Sequence, residues 1–174
     1  MNGNTEILLD VALNTFDGTC FETEKILLYE YEIRPCNSCR YCVKNRRCCI
    51  DDDMTRVIIP KLLESDAIII ASPVYFNNVS GQVKVFMDRT WCLRGRLKDK
   101  VGGAIVVGRG YGLESAITAI HSFMLKHGMI LGHRGVSGIA YEKGEIIRDE
   151  RAMNDARMLA ERISNILLNR KIEG

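Results

Sequence analysis

The hydrophobic and polar positions along the chain alternate between two spacings. Apolar residues three or four positions apart predict helices, and short apolar runs bounded by turn residues predict strands. The runs at 67–71 and 101–107 are apolar throughout, which is typical of strands buried on both faces of a parallel sheet. Aliphatic and aromatic side chains at 25–33 predict a further strand, and a weaker strand starts at 129–131 and runs toward Val136. The predicted helices span 5–13, 51–64, 81–93, 113–127 and 149–168.

This alternation of strands and helices predicts one α/β domain over residues 1–174, a doubly wound parallel sheet covered by helices in three layers. Ligands of such sheets bind beyond the carboxyl ends of the strands. The loops at 34–50, 72–80 and 108–112 each follow a predicted strand. We therefore expect these three loops to converge on one site.

Composition and charge narrow the classes of protein that fit this pattern. The chain has 174 residues, 47% of them hydrophobic and 26% charged, with a net charge of +2, as expected for a globular domain rather than a disordered or coiled-coil protein. The near balance of charge predicts no nucleic-acid partner and no membrane partner. No apolar run approaches the roughly 20 residues of a membrane span, and the first residues lack the pattern of a secretion signal, so we expect a cytoplasmic protein.

The seven cysteines contain one compact motif. Cytoplasmic cysteines rarely form structural disulfides, and the continuous C-x2-C-x2-C-x5-C spacing is that of ferredoxin-type cluster binding. It therefore predicts a [4Fe–4S] cluster, with a zinc site or reduced, redox-active thiols as the alternatives. Cys49 directly follows the fourth cysteine and is a possible substitute for it, and Cys20 and Cys92 are predicted to be buried thiols. The predicted ligands are Cys36, Cys39, Cys42 and Cys48.

The cysteine loop is strongly cationic, with five basic residues and no acidic one between its first arginine and its fourth cysteine. The cations could offset the negative charge of a thiolate-bound cluster and attract an acidic electron donor. A zinc module that binds nucleic acid would use the same charges, and a plain solvated loop would also tolerate them. The five residues are Arg34, Arg40, Lys44, Arg46 and Arg47.

Two further loops have features of a flavin site. A turn with a proline and two aromatic residues follows the strand at 67–71, and it could offer backbone groups to an isoalloxazine ring. Gly108, Gly110 and Gly112 allow close approach of a ligand after the next strand. Their spacing does not match the dinucleotide fingerprint, which disfavours an NAD-binding Rossmann domain. The residues of the first turn are Ser72, Pro73, Val74, Tyr75, Phe76 and Asn77.

Taken together, these motifs closely resemble the iron–sulfur flavoproteins of the NADPH-dependent FMN reductase group. The resemblance rests on the cysteine motif and the turn at 72–76, and it extends to Gly3-Asn4-Thr5, Asp52-Asp53-Met54, Ser80-Gly81-Gln82-Val83-Lys84 and Phe86-Met87-Asp88-Arg89. It covers nearly the whole chain.

The resemblance implies a flavodoxin-like fold with FMN and a [4Fe–4S] cluster as cofactors. By motif, Asn4 and Thr5 correspond to the end of a phosphate loop, Pro73 to Asn77 to the turn at the isoalloxazine, and Gly108 to Gly110 to a second flavin-facing loop. The same resemblance implies homodimers or homotetramers in which cluster and flavin approach each other. In the family a first strand and a Gly-Ser-Pro-Arg loop precede Gly-Asn-Thr, whereas this chain begins at Met1. We expect a translation start assigned too late; a version that folds poorly and binds FMN weakly is the alternative.

The expected function is electron transfer by an FMN-dependent oxidoreductase, from a ferredoxin-like donor through cluster and FMN to a quinone, oxygen or peroxide. An NAD(P)H-dependent FMN or quinone reductase with a structural or zinc-bound cysteine loop is the first alternative. A zinc-stabilised module that binds nucleic acid or protein is the second. No catalytic residue is assigned; His121, His127 and His133 are expected to be surface, capping or loop residues.

Overall fold

The computed structural model of the protein describes residues 3–172 and contains a five-stranded, mostly parallel sheet. Its strands lie in the order β2-β1-β3-β4, and β5 pairs with β3 beyond the end of β4. All pairs are parallel except β1 with β2, which form a hairpin. The strands are β1 (Ala67–Tyr75), β2 (Asn78–Val79), β3 (Val101–Gly108), β4 (Ile130–Leu131) and β5 (Val136–Ile139).

Helices cover both faces of this sheet and complete three layers. Phe86 and Ile120 belong to the buried cluster on one face, and Leu8 and Leu159 belong to the cluster on the other. β3 lies between the clusters, and all eight of its residues are buried. The α/β fold with a doubly wound parallel sheet is therefore confirmed. The helices are α1 (Asn4–Leu13), α2 (Tyr41–Asn45), α3 (Ile59–Glu64), α4 (Gly81–Arg89), α5 (Leu113–Lys126) and α6 (Glu150–Ile172).

The prediction of a strand at 25–33 is wrong. This segment is extended, contains a single 3-10 turn at Leu28–Glu30 and belongs to none of the described strands. Its apolar side chains, among them Ile26 and Ile33, pack against the buried cluster that includes α4. Strand propensity reflects the fit of side chains to a half-buried surface, and this segment finds such a surface on helices without a backbone partner in the sheet.

The helix predicted over 51–64 contains a π-helical turn directly before the turn that holds Pro60. Residues Met54–Ile58 are π-helical and lead directly into α3, so Pro60 stands in the first turn of that helix. Proline has no amide hydrogen to give to the preceding turn, and the wider turn before it accommodates this.

The other predicted elements are confirmed with shifted ends. The weak strand beginning at 129 is two short strands, β4 and β5, which both pair with β3 and are separated by residues 132–135. The helix predicted at 81–93 is α4 followed by a 3-10 turn, Thr90–Leu93. No helix within residues 3–172 combines the length and apolar character that crossing a membrane requires. Met1, where the late start is expected, lies outside the described residues.

Candidate functional site

The turn between β1 and β2 is a tight two-residue hairpin. Val74 pairs with Val79 and Tyr75 with Asn78, which leaves Phe76 and Asn77 as the turn residues with φ of 48° and 59°. Two successive left-handed residues are the pattern of a type I′ hairpin. The Phe76 side chain is fully exposed at the carboxyl end of β1 and that of Tyr75 is 60% exposed, so two aromatic rings project from the predicted flavin turn.

Two serines fasten this turn to the start of α4. The buried Ser72 hydroxyl donates to the Pro73 carbonyl at 2.8 Å and accepts a hydrogen bond from the Ser80 amide at 2.9 Å. Ser80 in turn is the N-cap of α4, and its Oγ accepts from the amide of Val83 at 3.4 Å. Ser72, one of the predicted flavin-site residues, thus stabilises the turn, because its hydroxyl is hydrogen-bonded to the backbone of both Pro73 and Ser80.

The loop after β3 meets the hairpin turn directly. A Cβ added to Gly112, whose φ is +71°, would lie 2.3 Å from the Cα of Asn77, so only glycine permits this contact. Gly108 faces the Cβ of Val74, which a Cβ on Gly108 would approach to 3.0 Å, whereas Gly110 is surrounded by open space. The predicted convergence of the loops at 72–80 and 108–112 is therefore confirmed.

A third loop, after β5, joins the same group. Arg109 donates from Nη2 to the Tyr141 carbonyl at 3.3 Å, and the Tyr141 hydroxyl donates to the Arg109 carbonyl at 3.2 Å. The amide of Asn4 in α1 donates to the Glu142 carbonyl at 2.8 Å, and its oxygen accepts from the Ile146 amide at 3.3 Å. Three strand ends and the start of α1 are therefore connected by contacts at one edge of the sheet.

The first turn of α1 lies at this edge, and the amide groups at the start of a helix point out of its N-terminal end. Gly3 is its N-cap and provides no side-chain oxygen to those amides, while Thr5 is partly exposed. The side chain of Asn4 is occupied by the 142–146 segment, so any phosphate contact by Asn4 would come from its backbone. The first amides of any helix have no partner within that helix and favour an anionic group, which fits the phosphate of FMN.

Two aromatic residues at this edge were missed by sequence reasoning. Tyr111 is 82% exposed and Tyr141 is 57% exposed, and both follow strands that end at the site. Tyr111 lies inside the glycine motif and could have been inferred from it. Tyr141 follows a short strand without a motif, and no sequence signal marks it. With Tyr75 and Phe76 they form an exposed aromatic rim, which suits the planar, mostly apolar ring of a flavin.

The cysteine loop, residues 34–50, has an irregular backbone that includes only the short helix α2. Ser38, Arg40 and Arg46 have positive φ, which turns the chain sharply around the cysteines. Cys36 and Cys39 are exposed, whereas Cys42 and Cys48 are partly buried and pack against the cluster that includes α4. A groove of about 570 Å³ lies along the loop and is lined by Cys39, Arg40, Tyr41, Val43, Lys44, Asn45 and Cys49.

Two thiols of this loop, those of Cys39 and Cys49, form a close pair, and the loop's cysteines do not surround a common metal position. Cys39 Sγ lies 3.4 Å from Cys49 Sγ, and within residues 3–172 no three histidine, cysteine or acidic side chains are arranged to hold a metal ion. The amide of Tyr41 and the Cys49 thiol lower the pKa of Cys39, and the same thiol contact raises the pKa of Cys49. The donor set fits an iron–sulfur cluster in chemistry, while the choice between Cys48 and Cys49 stays a prediction.

A buried ion pair lies beneath the loop. Arg89, the last residue of α4, forms a two-pronged contact with Asp52, with Nη1–Oδ2 and Nη2–Oδ1 distances of 2.6 and 2.9 Å, and both side chains are almost fully buried. Burial alone would raise the pKa of Asp52, but hydrogen bonds from Arg89 and from the Arg34 amide outweigh it and hold that pKa below its usual value. The sequence analysis includes Arg89 only as part of the motif Phe86-Met87-Asp88-Arg89 and predicts no ion pair for it.

The cysteine loop does not join the other loops as predicted. It is anchored at the C-terminal end of α4 through Arg89, whereas the 72–80 loop leads into the N-terminal end at Gly81. The helix between these two residues is about 12 Å long. The prediction assumed that the cysteine loop leaves a strand of the sheet, and the segment before it is not a strand.

The remaining cysteines and histidines differ in burial. Cys92 is buried as predicted, and burial, followed by the nearby Cys48 and Cys42, raises its pKa to about 11. Cys20 is exposed, so the prediction of a buried thiol is wrong there. His127 caps the end of α5 as expected but is buried, with Nε2 3.0 Å from the Thr90 hydroxyl.

Comparison with known proteins relates this arrangement to flavoproteins. The family described as NADPH-dependent FMN reductase matches residues 1–142. An iron-sulfur flavoprotein of Methanocaldococcus jannaschii is 39% identical over 176 aligned residues, covering 95% of this chain and 91% of the relative. The Trp repressor binding protein of Bacillus subtilis is similar in structure, with a TM-score of 0.64, 26% identity and coverage of 90% of this chain and 89% of the other. An archaeal flavodoxin has the same fold, with a TM-score of 0.58, 15% identity and coverage of 94% and 93%.

Proposed function

Because the chain belongs to the NADPH-dependent FMN reductase family and is an FMN-dependent oxidoreductase, we propose that it transfers electrons between a donor, a [4Fe–4S] cluster on the cysteine loop, FMN at the strand ends and a small acceptor. When bound, FMN exchanges one or two electrons and the cluster one at a time. The observation that carries the proposal is the cysteine loop itself, with four thiols, five cations and no acidic residue between Arg34 and Cys48.

The residues at the strand ends would bind and orient FMN. The hairpin turn at Phe76 and Asn77, held by Ser72 and Ser80, would place its backbone beside the polar edge of the flavin ring. Tyr111 on the facing loop would shield the ring from water. The start of α1 at Asn4 and Thr5 would bind the phosphate through its amides.

The cysteine loop would hold the cluster through Cys36, Cys39, Cys42 and Cys48. Its exposed cations would attract the acidic surface of a ferredoxin-like donor, which accelerates association at low ionic strength. NAD(P)H is the second candidate donor, and the description of the family supports it. The acceptor would be a small molecule, such as a quinone, oxygen or peroxide, that reaches the flavin at the carboxyl ends of the strands.

The exposed aromatic rim also supports assembly into homodimers or homotetramers. Rings as exposed as those of Phe76 and Tyr111 are unfavourable in water, and a second copy of the chain would cover them. Since about 12 Å of helix separates the two cofactor regions within one chain, such an assembly could bring the cysteine loop of one copy nearer to the flavin of another.

Anaerobic cofactor analysis tests the proposal. Purified protein is expected to contain about four iron and four sulfide ions and one FMN per chain, and to give a cluster signal in electron paramagnetic resonance after reduction. A preparation with FMN and zinc but no iron would contradict the cluster and support the reductase with a zinc-bound loop. Reduction by ferredoxin and by NADPH, measured separately, distinguishes the two donors.

A pair of variants identifies the fourth ligand. Cys48→Ser is expected to abolish the cluster signal, whereas Cys49→Ser leaves it largely intact. The opposite result would assign Cys49, which the 3.4 Å contact with Cys39 brings within reach of the motif.

A further inference from the structure

The side chain of Arg89 joins the two ends of the cysteine loop. Its Nη1 donates to the Arg34 carbonyl at 2.5 Å, and its Nη2 lies 3.4 Å from the Ile50 carbonyl. Asp52, which forms the two-pronged contact with Arg89, also accepts a hydrogen bond from the Arg34 amide at 3.0 Å. The two ends of the loop, at Arg34 and Ile50, are therefore both held by the buried guanidinium of Arg89.

One N–H group of this guanidinium lacks a hydrogen-bond acceptor among the described residues. Arg89 Nε is buried and has no hydrogen-bond partner among the described residues. A buried donor without a partner costs about 1–3 kcal/mol, so such a group calls for an acceptor. No described side chain or backbone oxygen provides one.

Cys48 is the cysteine of the loop whose thiol interacts electrostatically with Arg89. Burial lowers the pKa of Arg89, but the hydrogen bond to Asp52 and the charge of Cys48 outweigh it and raise that pKa overall. Cys48 is partly buried and lies two residues before Ile50, whose carbonyl Arg89 also contacts. Cys49 is exposed and lies against Cys39.

We propose that Arg89 is the positioning residue for Cys48, and that its free Nε–H donates to the sulfur of Cys48 when that sulfur is a cluster thiolate. This inference rests on the proposed cluster. It has two consequences. Arg89 selects Cys48 over Cys49 as the fourth ligand, and its buried positive charge stabilises the more negative, reduced form of the cluster, which raises the reduction potential.

The experiment measures the reduction potential of the iron-loaded protein by electron paramagnetic resonance. Arg89→Gln is expected to disfavour reduction at least tenfold, which for one electron is 59 mV. Arg89→Lys keeps the charge and should recover part of the shift. Arg47→Gln is the control: it removes the same charge one residue from Cys48 but at an exposed position, where the effect should be clearly smaller.

A double variant protects the test against misfolding. Arg89→Gln leaves Asp52 as an unpaired buried charge, so Arg89→Gln with Asp52→Asn restores neutrality, and FMN content reports on the fold at a site that Arg89 does not contact. Potentials equal to wild type in these iron-loaded variants would overturn the inference and leave the proposed function intact. Loss of FMN in all Arg89 variants would assign Arg89 to the stability of the whole fold and also overturn it. Wild-type protein without iron would overturn both.

Ligand selection has a separate readout. In the wild-type background Cys49→Ser should leave the iron content unchanged, whereas in the Arg89→Gln background the same substitution should lower it, because Cys49 then replaces Cys48 in part of the molecules. Equal iron content in both backgrounds would overturn the selection of Cys48 by Arg89.

Discussion

Phe76 has a backbone conformation that bulky residues avoid. With φ of 48° it is left-handed, which costs roughly 1–2 kcal/mol for a residue with a side chain, and its ring is fully exposed and gains no packing in return. Such a combination is common where a binding site requires a particular side chain. We interpret the strain as the cost of presenting the ring to FMN.

Substitution of Phe76 should separate stability from binding. Phe76→Asn is expected to raise the free energy of unfolding by about 1 kcal/mol, because asparagine tolerates the left-handed region, and to weaken FMN binding. Urea denaturation and quenching of FMN fluorescence measure the two effects. Tyr75→Asn is the control, since Tyr75 lies in a regular strand and its replacement relieves no strain. A destabilised Phe76→Asn protein would contradict this interpretation.

The hydrogen bonds of His127 fix its protonation. The Thr90 hydroxyl donates to the Met87 carbonyl at 2.7 Å, so it can only accept from His127, which places the proton on Nε2. Nδ1 is buried and has no partner among the described residues. A second proton would have no acceptor there, and burial lowers the pKa of His127.

Stability should therefore fall as the pH falls. In the unfolded chain His127 binds a proton below about pH 6.5, while in the native protein it stays neutral down to its lowered pKa. The contribution of His127 to the free energy of unfolding is therefore complete above about pH 6.5. It is lost as the pH falls from that value to the native pKa. The slope from this residue is at most about 1.4 kcal/mol per pH unit. Urea denaturation of wild type and His127→Gln from pH 7.5 to 5 measures it; the variant should show the shallower dependence. Identical slopes would show that His127 does not titrate on unfolding.

At the scale of elements, the contact of Gly112 with Asn77 connects two loops that follow different strands. Gly112→Ala should force these loops apart and lower the affinity for FMN at least tenfold, measured by fluorescence titration, because the added Cβ meets backbone rather than a movable side chain. Gly110→Ala is the matched control. Gly110 also has positive φ, but a Cβ there meets nothing within 4 Å, so this variant carries the backbone strain without the clash. Equal losses in both would trace the effect to strain alone.

The elements also show how far the sequence predicts this fold. β1 and β3 were predictable because the runs at 67–71 and 101–107 are apolar on both faces, which few positions outside a covered sheet allow. The 25–33 segment was not, because its composition is that of a strand and only the absence of a neighbouring strand within the described residues distinguishes it. The cysteine motif was predictable from spacing, whereas the Arg89–Asp52 pair joins residues 37 positions apart and leaves no local pattern.

At the scale of the whole molecule, the aromatic rim should govern assembly. Phe76→Ser with Tyr111→Ser is expected to shift the protein toward the monomer in sedimentation experiments over a range of concentrations, because the two most exposed aromatic rings are removed. Tyr29→Ser is the control, since Tyr29 is 70% exposed but belongs to the segment before the cysteine loop and not to the rim. An equal shift in both proteins would argue against the rim as the contact.

The fixation of Arg34 and Ile50 on one side chain has a consequence for how this protein could be rebuilt. The entropic cost of closing a loop between two fixed ends rises only slowly with its length, by about 0.6 kcal/mol for each doubling, so a segment of another length could join the same two ends without disturbing the sheet. The cysteine segment is thus bound to the last residue of α4 at both of its ends, while Cys42 and Cys48 also pack against the buried cluster that includes α4. It could be shortened to a plain linker, or transplanted onto a related flavin-binding scaffold, provided that the arginine and aspartate beneath it travel with it.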